Sequence, residues 1–256
     1  MAAGSSVLVL EKAVRLLDCF TPERAHLSIG ELHHLTGMPL STVARLVNTL
    51  VSLELIHKSG ESYGIGLRVL TWTAAATAGS DLLEAANDVA ARLRDQTGET
   101  AGMYIARGTT RVAVVVKLSK QSILFRGYVG QLMPMGAGAA GKVFLAHDSH
   151  LLSAVLVEMR HGAGVEISPQ LEAQLALVRE QGWILTEQER EDGLNSLAAP
   201  VFDSTGTVVA ALGIGGPSFR LNADSARQFG PLVAEAAASL SSTLGYKPQT
   251  IARNSA

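Results

Sequence analysis

A chain of 256 residues with 47% hydrophobic and 17% charged side chains can bury a real core and is not disordered by composition; its length favours two domains over one. A formal net charge of −2 excludes a chain-wide basic surface as the source of nucleic-acid binding, though not a local, helix-borne contact. Cys19 is the single cysteine, which excludes an internal disulfide framework and any multi-cysteine zinc site.

The opening residues show no basic segment followed by a long apolar core. No uncharged apolar stretch approaches the ~20 residues of a membrane span. A soluble, cytoplasmic protein without membrane association is expected.

In chain order, Val7 to Phe20 places apolar residues on one helical face, including Leu8, Leu10, Val14 and Leu17, and Cys19 lies on that core face as a packed thiol. Thr21 to Arg24 break the helix. Ser28 and Glu31 have the spacing of a capping box, starting a second helix that turns Leu32 and Leu35 inward and stops at Gly37. A third helix follows with Ser41 as N-cap and Val43, Leu46, Val47, Leu50 and Leu53 as its apolar stripe. Ile56–Lys58 and Tyr63–Ile65 read as short strands around a turn at 59–62. Leu67–Ala78 is helical and Ala-rich, Gly79 to Asp81 interrupt it, and Leu82–Gln96 is an amphipathic helix closed by Gly98.

From residue 99 the texture changes. Ala101–Ala106, Arg111–Leu118, Ile123–Val129, Trp183–Thr186, Ser196–Phe202 and Val208–Gly216 are strand-like. Helices read at about 139–147, 149–159, 168–181 and 222–244. Strands and helices mix without strict alternation, so this part is α+β with a mostly antiparallel sheet.

Two short helices and a tight turn followed by a strand–turn–strand make a winged helix-turn-helix. Such a module fits one helix into the major groove while the preceding helix props it on the phosphates. The exposed face of the third helix carries Ser41, Thr42, Arg45, Asn48 and Thr49: short donors for phosphate oxygens, an Arg suited to guanine and an Asn suited to adenine. His57, Lys58 and Ser59 stand where a wing meets the backbone. The first 78 residues carry six Lys/Arg and six Asp/Glu, so the module is formally neutral, and winged helices also serve as protein contacts.

The run Gly136 to Lys142 fits both G-x-G-x-x-G and G-x-x-x-x-G-K. A P-loop needs Ser or Thr after its Lys, and Val143 stands there. A dinucleotide fingerprint needs a strand running into the first glycine, and Pro134 intervenes. What remains is a Gly-rich helix start whose free N–H groups at Ala139, Ala140 and Gly141 favour an anion such as a carboxylate; the bland reading is that the glycines only permit close packing. His147, Asp148, Ser149 and His150 are triad residue types too near in sequence to converge as a triad; Asp148 or Ser149 caps the next helix instead. His33, His34 and His161 lack metal-ligand spacing, and no cofactor or metal is expected. Glu187, Glu189, Arg190, Glu191 and Asp192 form a charged cluster that either lines a site or is a solvated loop.

Three stretches carry a family resemblance: LSIGELHHLTGMPLSTVARLVNTLVSLELI (27–56), MPMGAGAAGKVFLA (133–146) and GWILTEQEREDGLNSLAAPVFDSTGTVVAALGIGGP (182–217). The chain resembles the IclR family of bacterial transcription regulators. The third stretch follows the family's signature through Gly182, Glu189, Ser196, Leu197, Ala198, Val201, Phe202 and Asp203, and departs from it at Thr186, where the family prefers Asp or Ser.

The resemblance implies a winged helix-turn-helix over 1–66, a linker helix over 67–80 and a GAF-like effector-binding domain over 81–256. It implies homodimers or dimers of dimers on palindromic operators in double-stranded DNA, answering to small, often acidic or aromatic, organic effectors. It carries the family's pocket positions onto Phe125, Met133, Ala139, Ala140, Thr186, Leu194 and Ser196. The competing reading is a small-molecule-binding or enzymatic α+β domain with an N-terminal protein-interaction module; for an enzyme the sequence offers Ser196 without an evident base. DNA contacts are expected from Ser41, Thr42, Arg45, Asn48 and Lys58, with Leu67–Ala78 helping to form a dimer.

Overall fold

The computed structural model describes residues 7–159 and 167–247. Residues 1–6, 160–166 and 248–256, His161 among them, lie outside that set. The chain divides into two compact units between Gly79 and Ser80. No helix among the described residues is long and apolar enough to cross a membrane.

The first unit runs α1 (Leu8–Leu17), α2 (Ile29–Thr36), α3 (Leu40–Ser52), the hairpin β1 (Ile56–Ser59) and β2 (Ser62–Ile65), then α4 (Arg68–Thr77). The capping box of α2 is formed: Ser28 Oγ accepts the Glu31 N–H, and the Glu31 carboxylate accepts the Ser28 N–H at 2.8 Å. Gly37 ends α2 at φ 65°, a conformation that costs a side-chain-bearing residue more.

Four details differ from the sequence reading. Pro39, not Ser41, stands at the N-cap of α3, because its fixed φ suits a helix entry; Ser41 lies exposed in the first turn. Leu53 follows the helix and is exposed. Leu35 faces solvent, and the neighbouring Thr36 is buried instead, its hydroxyl donating to the Leu32 carbonyl at 2.6 Å. Along α1 only Leu16 is buried; Leu8, Leu10 and Val14 are exposed, and Cys19 is half-buried with its thiol toward the Arg15 carbonyl.

Val43, Leu46, Val47 and Leu50 seat α3 on Leu16, Leu32 and Ile56, as the stripe requires. The hairpin pairs Ile56 with Ile65 and is tied to the unit by the Leu27–Tyr63 bridge. At Gly66 a Cβ would run into the Glu54 carbonyl, so the chain leaves the hairpin by a close backbone approach that needs glycine. Helix α4 has no buried residue, and Leu67, Leu70 and Trp72 are all exposed.

The second unit runs α5 (Asp81–Thr97), β3 (Thr100–Arg107), β4 (Thr110–Lys117), β5 (Leu132–Pro134), α6 (Ala139–His147), α7 (Ser149–Met159), α8 (Pro169–Gln181), β6 (Ile184–Glu187), β7 (Leu194–Phe202), β8 (Val208–Pro217) and α9 (Ala223–Thr243). The strands form one antiparallel sheet in the order β5-β4-β3-β8-β7-β6. Side chains on the two faces alternate along each strand. Leu197, Ala199 and Val201 of β7 join the core beneath α5 and α9, while Ala198 joins the core beneath α6 and α8.

Ile123–Val129 is not a strand. It belongs to a loop between β4 and β5, held by the Phe125 carbonyl accepting from Thr100 Oγ1 at 2.7 Å and the Ile123 carbonyl accepting from Arg220 at 2.7 Å. The short β5 takes the place at the sheet edge instead. Asp148 caps the start of α7, its carboxylate accepting the Leu151 N–H at 2.9 Å.

One irregularity aims the site. Between Met103 and Tyr104 the register of β3 with β4 shifts, so Met103 faces Val115 and Tyr104 faces Ala113. Partners across an antiparallel pair share a face. The extra residue, Val114, therefore puts Val115 under α5 and α9 but turns Ala113 and Arg111 to the α6 side.

Candidate functional site

On the α6 side of the sheet lies a cavity of about 40 Å³. Its floor is β7 and β8, where Gly213 and Gly215 leave the sheet bare; the Phe125 ring lies over Gly215, 3.0 Å from where a Cβ would stand. The start of α6 forms one wall, and the turn between β6 and β7 forms another. That turn is fixed by buried Asn195, which donates to the Leu221 carbonyl and accepts the Gln188 N–H.

The Gly-rich run opens α6 with Gly138 as N-cap at φ 84°. Its donors already have partners in the chain. The Gly138 N–H goes to the Glu189 carboxylate at 2.8 Å, and the Ala139 N–H to Ser196 Oγ at 3.0 Å. The Gly141 N–H goes to the Gly138 carbonyl. Lys142, the residue a P-loop would aim at phosphate, is buried and paired with Glu189 at 2.6 Å, and it also donates to the Gly136 carbonyl. All pairings in the sheet are antiparallel, so neither nucleotide motif has its parallel strand.

Glu189 also accepts from Gln174 of α8 at 2.8 Å. Burial disfavours its charged form, but the bonds from Lys142 and Gly138 outweigh that and hold its carboxyl below the usual range. Within the charged cluster, Glu189 and Arg190 turn toward the cavity while Glu187 and Asp192 are exposed.

Two guanidiniums reach the cavity. Arg111 is 2% exposed; one of its terminal nitrogens donates to the Pro134 carbonyl, and its Nε is buried with no partner. Burial brings its pKa down to about 10, and Arg190 adds to the drop, so it remains a cation at neutral pH. Arg190 lies over the Phe125 ring at 4.9 Å and points a nitrogen at Met133 Sδ at 2.9 Å. Tyr104 lines the same cavity with its phenol pKa raised by burial.

Of the residues expected from sequence, Phe125, Ala140, Thr186, Leu194 and Ser196 come together on the cavity. Met133 stands behind Arg190. Ala139 packs into the core beneath α6, and Gly141 stands against Arg111. Ser196 Oγ is 2.8 Å from Thr186 Oγ1 and accepts the Ala139 N–H. Neither partner is a base that would make Ser196 a nucleophile. Sequence reasoning missed Arg111 and Tyr104. The available signal was an arginine opening an otherwise apolar strand, but only the bulge at Val114 decides which face it takes.

In the first unit, Ser41, Arg45 and Asn48 are exposed on α3 with Thr42 beside them, a single stripe opposite the buried face. Thr49 bonds its hydroxyl back to the Arg45 carbonyl at 3.0 Å. Lys58 is exposed on β1, opposite Tyr63.

Residues 74–242 match the family model for the bacterial transcriptional regulator IclR C-terminal domain, and residues 9–60 match the IclR helix-turn-helix domain. The chain belongs to the IclR family of bacterial transcriptional regulators. It is 29% identical over 253 residues to the HTH-type transcriptional repressor AllR of Salmonella paratyphi A, covering 96% of this chain and 93% of that protein. An IclR-family regulator from Rhodococcus sp. is 32% identical with a TM-score of 0.58, covering 95% of this chain and 96% of that one. An IclR homologue from Microbacterium hydrocarbonoxydans, solved in complex with 4-hydroxybenzoate, shares the fold at 21% identity with a TM-score of 0.77, covering 93% and 99%. The fold is thus an N-terminal winged helix-turn-helix and a C-terminal α+β domain with an antiparallel sheet.

Proposed function

We propose that this IclR-family regulator binds a palindromic operator through α3 and the hairpin, and that a small organic effector held in the cavity of the second unit changes that binding. In this reading residues 1–66 are the DNA-binding domain, 67–80 the linker helix and 81–256 the effector domain. Ser41 and Thr42 fix α3 on the phosphates, Arg45 and Asn48 meet base edges, and Lys58 holds the wing to the backbone. The protein works in the cytoplasm by binding, not by catalysis.

The observation that carries the effector reading is the cavity itself: an enclosed space on the sheet, lined by Ser196, Thr186 and two guanidiniums, in a chain of a regulator family. Dimer formation is supported by the exposed apolar residues of α1 and α4, among them Leu8, Leu10, Leu70 and Trp72, and by the neutrality of the DNA module, which leaves little affinity to one copy.

Gel retardation of a DNA fragment from the protein's own promoter region tests the first half. A thermal screen with organic acids and aromatic compounds tests the second, since a ligand at 100-fold its dissociation constant stabilises by ~2.7 kcal/mol. Specific retardation that a stabilising compound alters supports the reading. Absence of specific retardation, or stabilisation without any effect on retardation, refutes it.

A further inference from the structure

The cavity holds more positive charge than the chain neutralises. Arg111, Arg190 and Lys142 stand against Glu189 and Glu191. Glu189 is already committed to Lys142, Gly138 and Gln174. Arg111 is almost fully buried with Nε unpartnered, a costly state for a donor on a cation. The contacts of Arg190 are a thioether sulfur and a ring face, both weaker than a carboxylate for a guanidinium.

The start of α6 does not offer the alternative seat. Its first donors are filled by Glu189 and Ser196, and Gly138 and Gly141 leave space that the Arg111 guanidinium uses. Its terminal nitrogens lie 3.1 Å and 3.0 Å from where Cβ atoms at those two positions would stand. The glycines thus cradle an arginine of the protein.

We propose that the ligand of this cavity is an organic anion whose charged end lies between Arg111 and Arg190, with its apolar part against Phe125 and Leu194. This rests on the reading of the cavity as the effector site and adds the ligand's charge, its orientation and the residues that select it. Arg111 is the fixed half of the seat, held by the Pro134 carbonyl. Arg190 is the movable half, on a turn at the cavity's edge. A space of about 40 Å³ is smaller than the ~150 Å³ in which a benzene ring is known to bind, so a ring enters only when a wall yields. Drawing Arg190 off Phe125 onto the anion opens that room and exchanges two weak contacts for a charge-assisted bond.

The test compares benzoate, acetate and the neutral benzamide on the full chain by calorimetry and thermal shift. Benzoate is expected to bind at least ~10-fold tighter than benzamide, the margin of a charge-assisted bond over a neutral one. In Arg190→Gln, a substitution on a half-buried turn residue, that preference should fall to near parity with the circular dichroism unchanged. In Arg111→Lys, which keeps the charge and loses the fork, it should fall part-way.

Equal binding of benzoate and benzamide overturns the proposal. So does a preference that survives Arg190→Gln, or a chain that neither carboxylate stabilises at millimolar concentration. A neutral compound that stabilises the chain and alters operator binding when no carboxylate does so overturns this inference and leaves the effector reading standing. If no compound alters operator binding, both fail.

Discussion

Gly141 has no room for a side chain, because the Arg111 guanidinium stands 3.0 Å from the point a Cβ would occupy and the Met135 carbonyl stands closer still. The Gly-rich run is therefore a packing device after all, and what it packs is a charged group that faces the cavity.

Gly141→Ala is expected to destabilise the second unit by about 1–3 kcal/mol, the range for forced overpacking of a filled interior. Differential scanning calorimetry reads this as a lower Tm. An alanine variant as stable as the parent would show that the helix start shifts freely.

Arg45→Ala is expected to weaken operator binding by ~1–3 kcal/mol if the contact is a bidentate base pair. Alanine suits a helix interior, so α3 should persist by circular dichroism. Unchanged affinity with the fold intact removes Arg45 from the interface.

Acid stability follows from Glu189. Its folded-state pKa lies below the unfolded value, so over that interval the unfolded chain binds more protons. The contribution is complete above the ordinary Glu value of ~4.3 and is lost as the pH falls through the lower folded value. Glu189→Gln should unfold at lower urea concentration at pH 7, since Lys142 loses its counter-charge, and should lose less on acidification. Parallel urea-midpoint curves for parent and variant from pH 7 to pH 3 would remove this pair from the acid response.

Leu70→Glu is expected to lower the association of two copies. Leu70 and Leu67 are 63% and 80% exposed on a helix with no buried residue, so a charge there costs the single chain little. Sedimentation should show a larger monomer fraction for the variant. An unaltered distribution places the interface elsewhere.

The parts legible in the sequence were those set by local chemistry. Ser28 and Glu31 announced a capping box, Gly37, Gly98 and Gly182 announced helix ends, and the stripe from Val43 to Leu50 announced the buried face of α3. The parts that stayed hidden depend on distant partners. Ile123–Val129 has the composition of a strand, yet Thr100 and Arg220 hold it as a loop that lays Phe125 on the sheet. Arg111 looks like a strand-edge charge until a one-residue bulge turns it inward. The apolar residues of α1 pointed to a core, but Leu8, Leu10 and Val14 are spent on the surface instead.

The neutrality of the first unit bears on how an operator is found. With Arg45 and Lys58 as its candidate phosphate and base cations, a pair of modules would displace few counterions. About four such contacts give a log–log salt slope near −4, well below that of strongly basic repressors. Such a protein has little hold on random DNA and spends little time sliding along it. Its residence at a site would come from hydrogen bonds and fit that only the right bases supply, so changes in cellular ionic strength would scarcely shift its occupancy, leaving the state of the cavity as the main control.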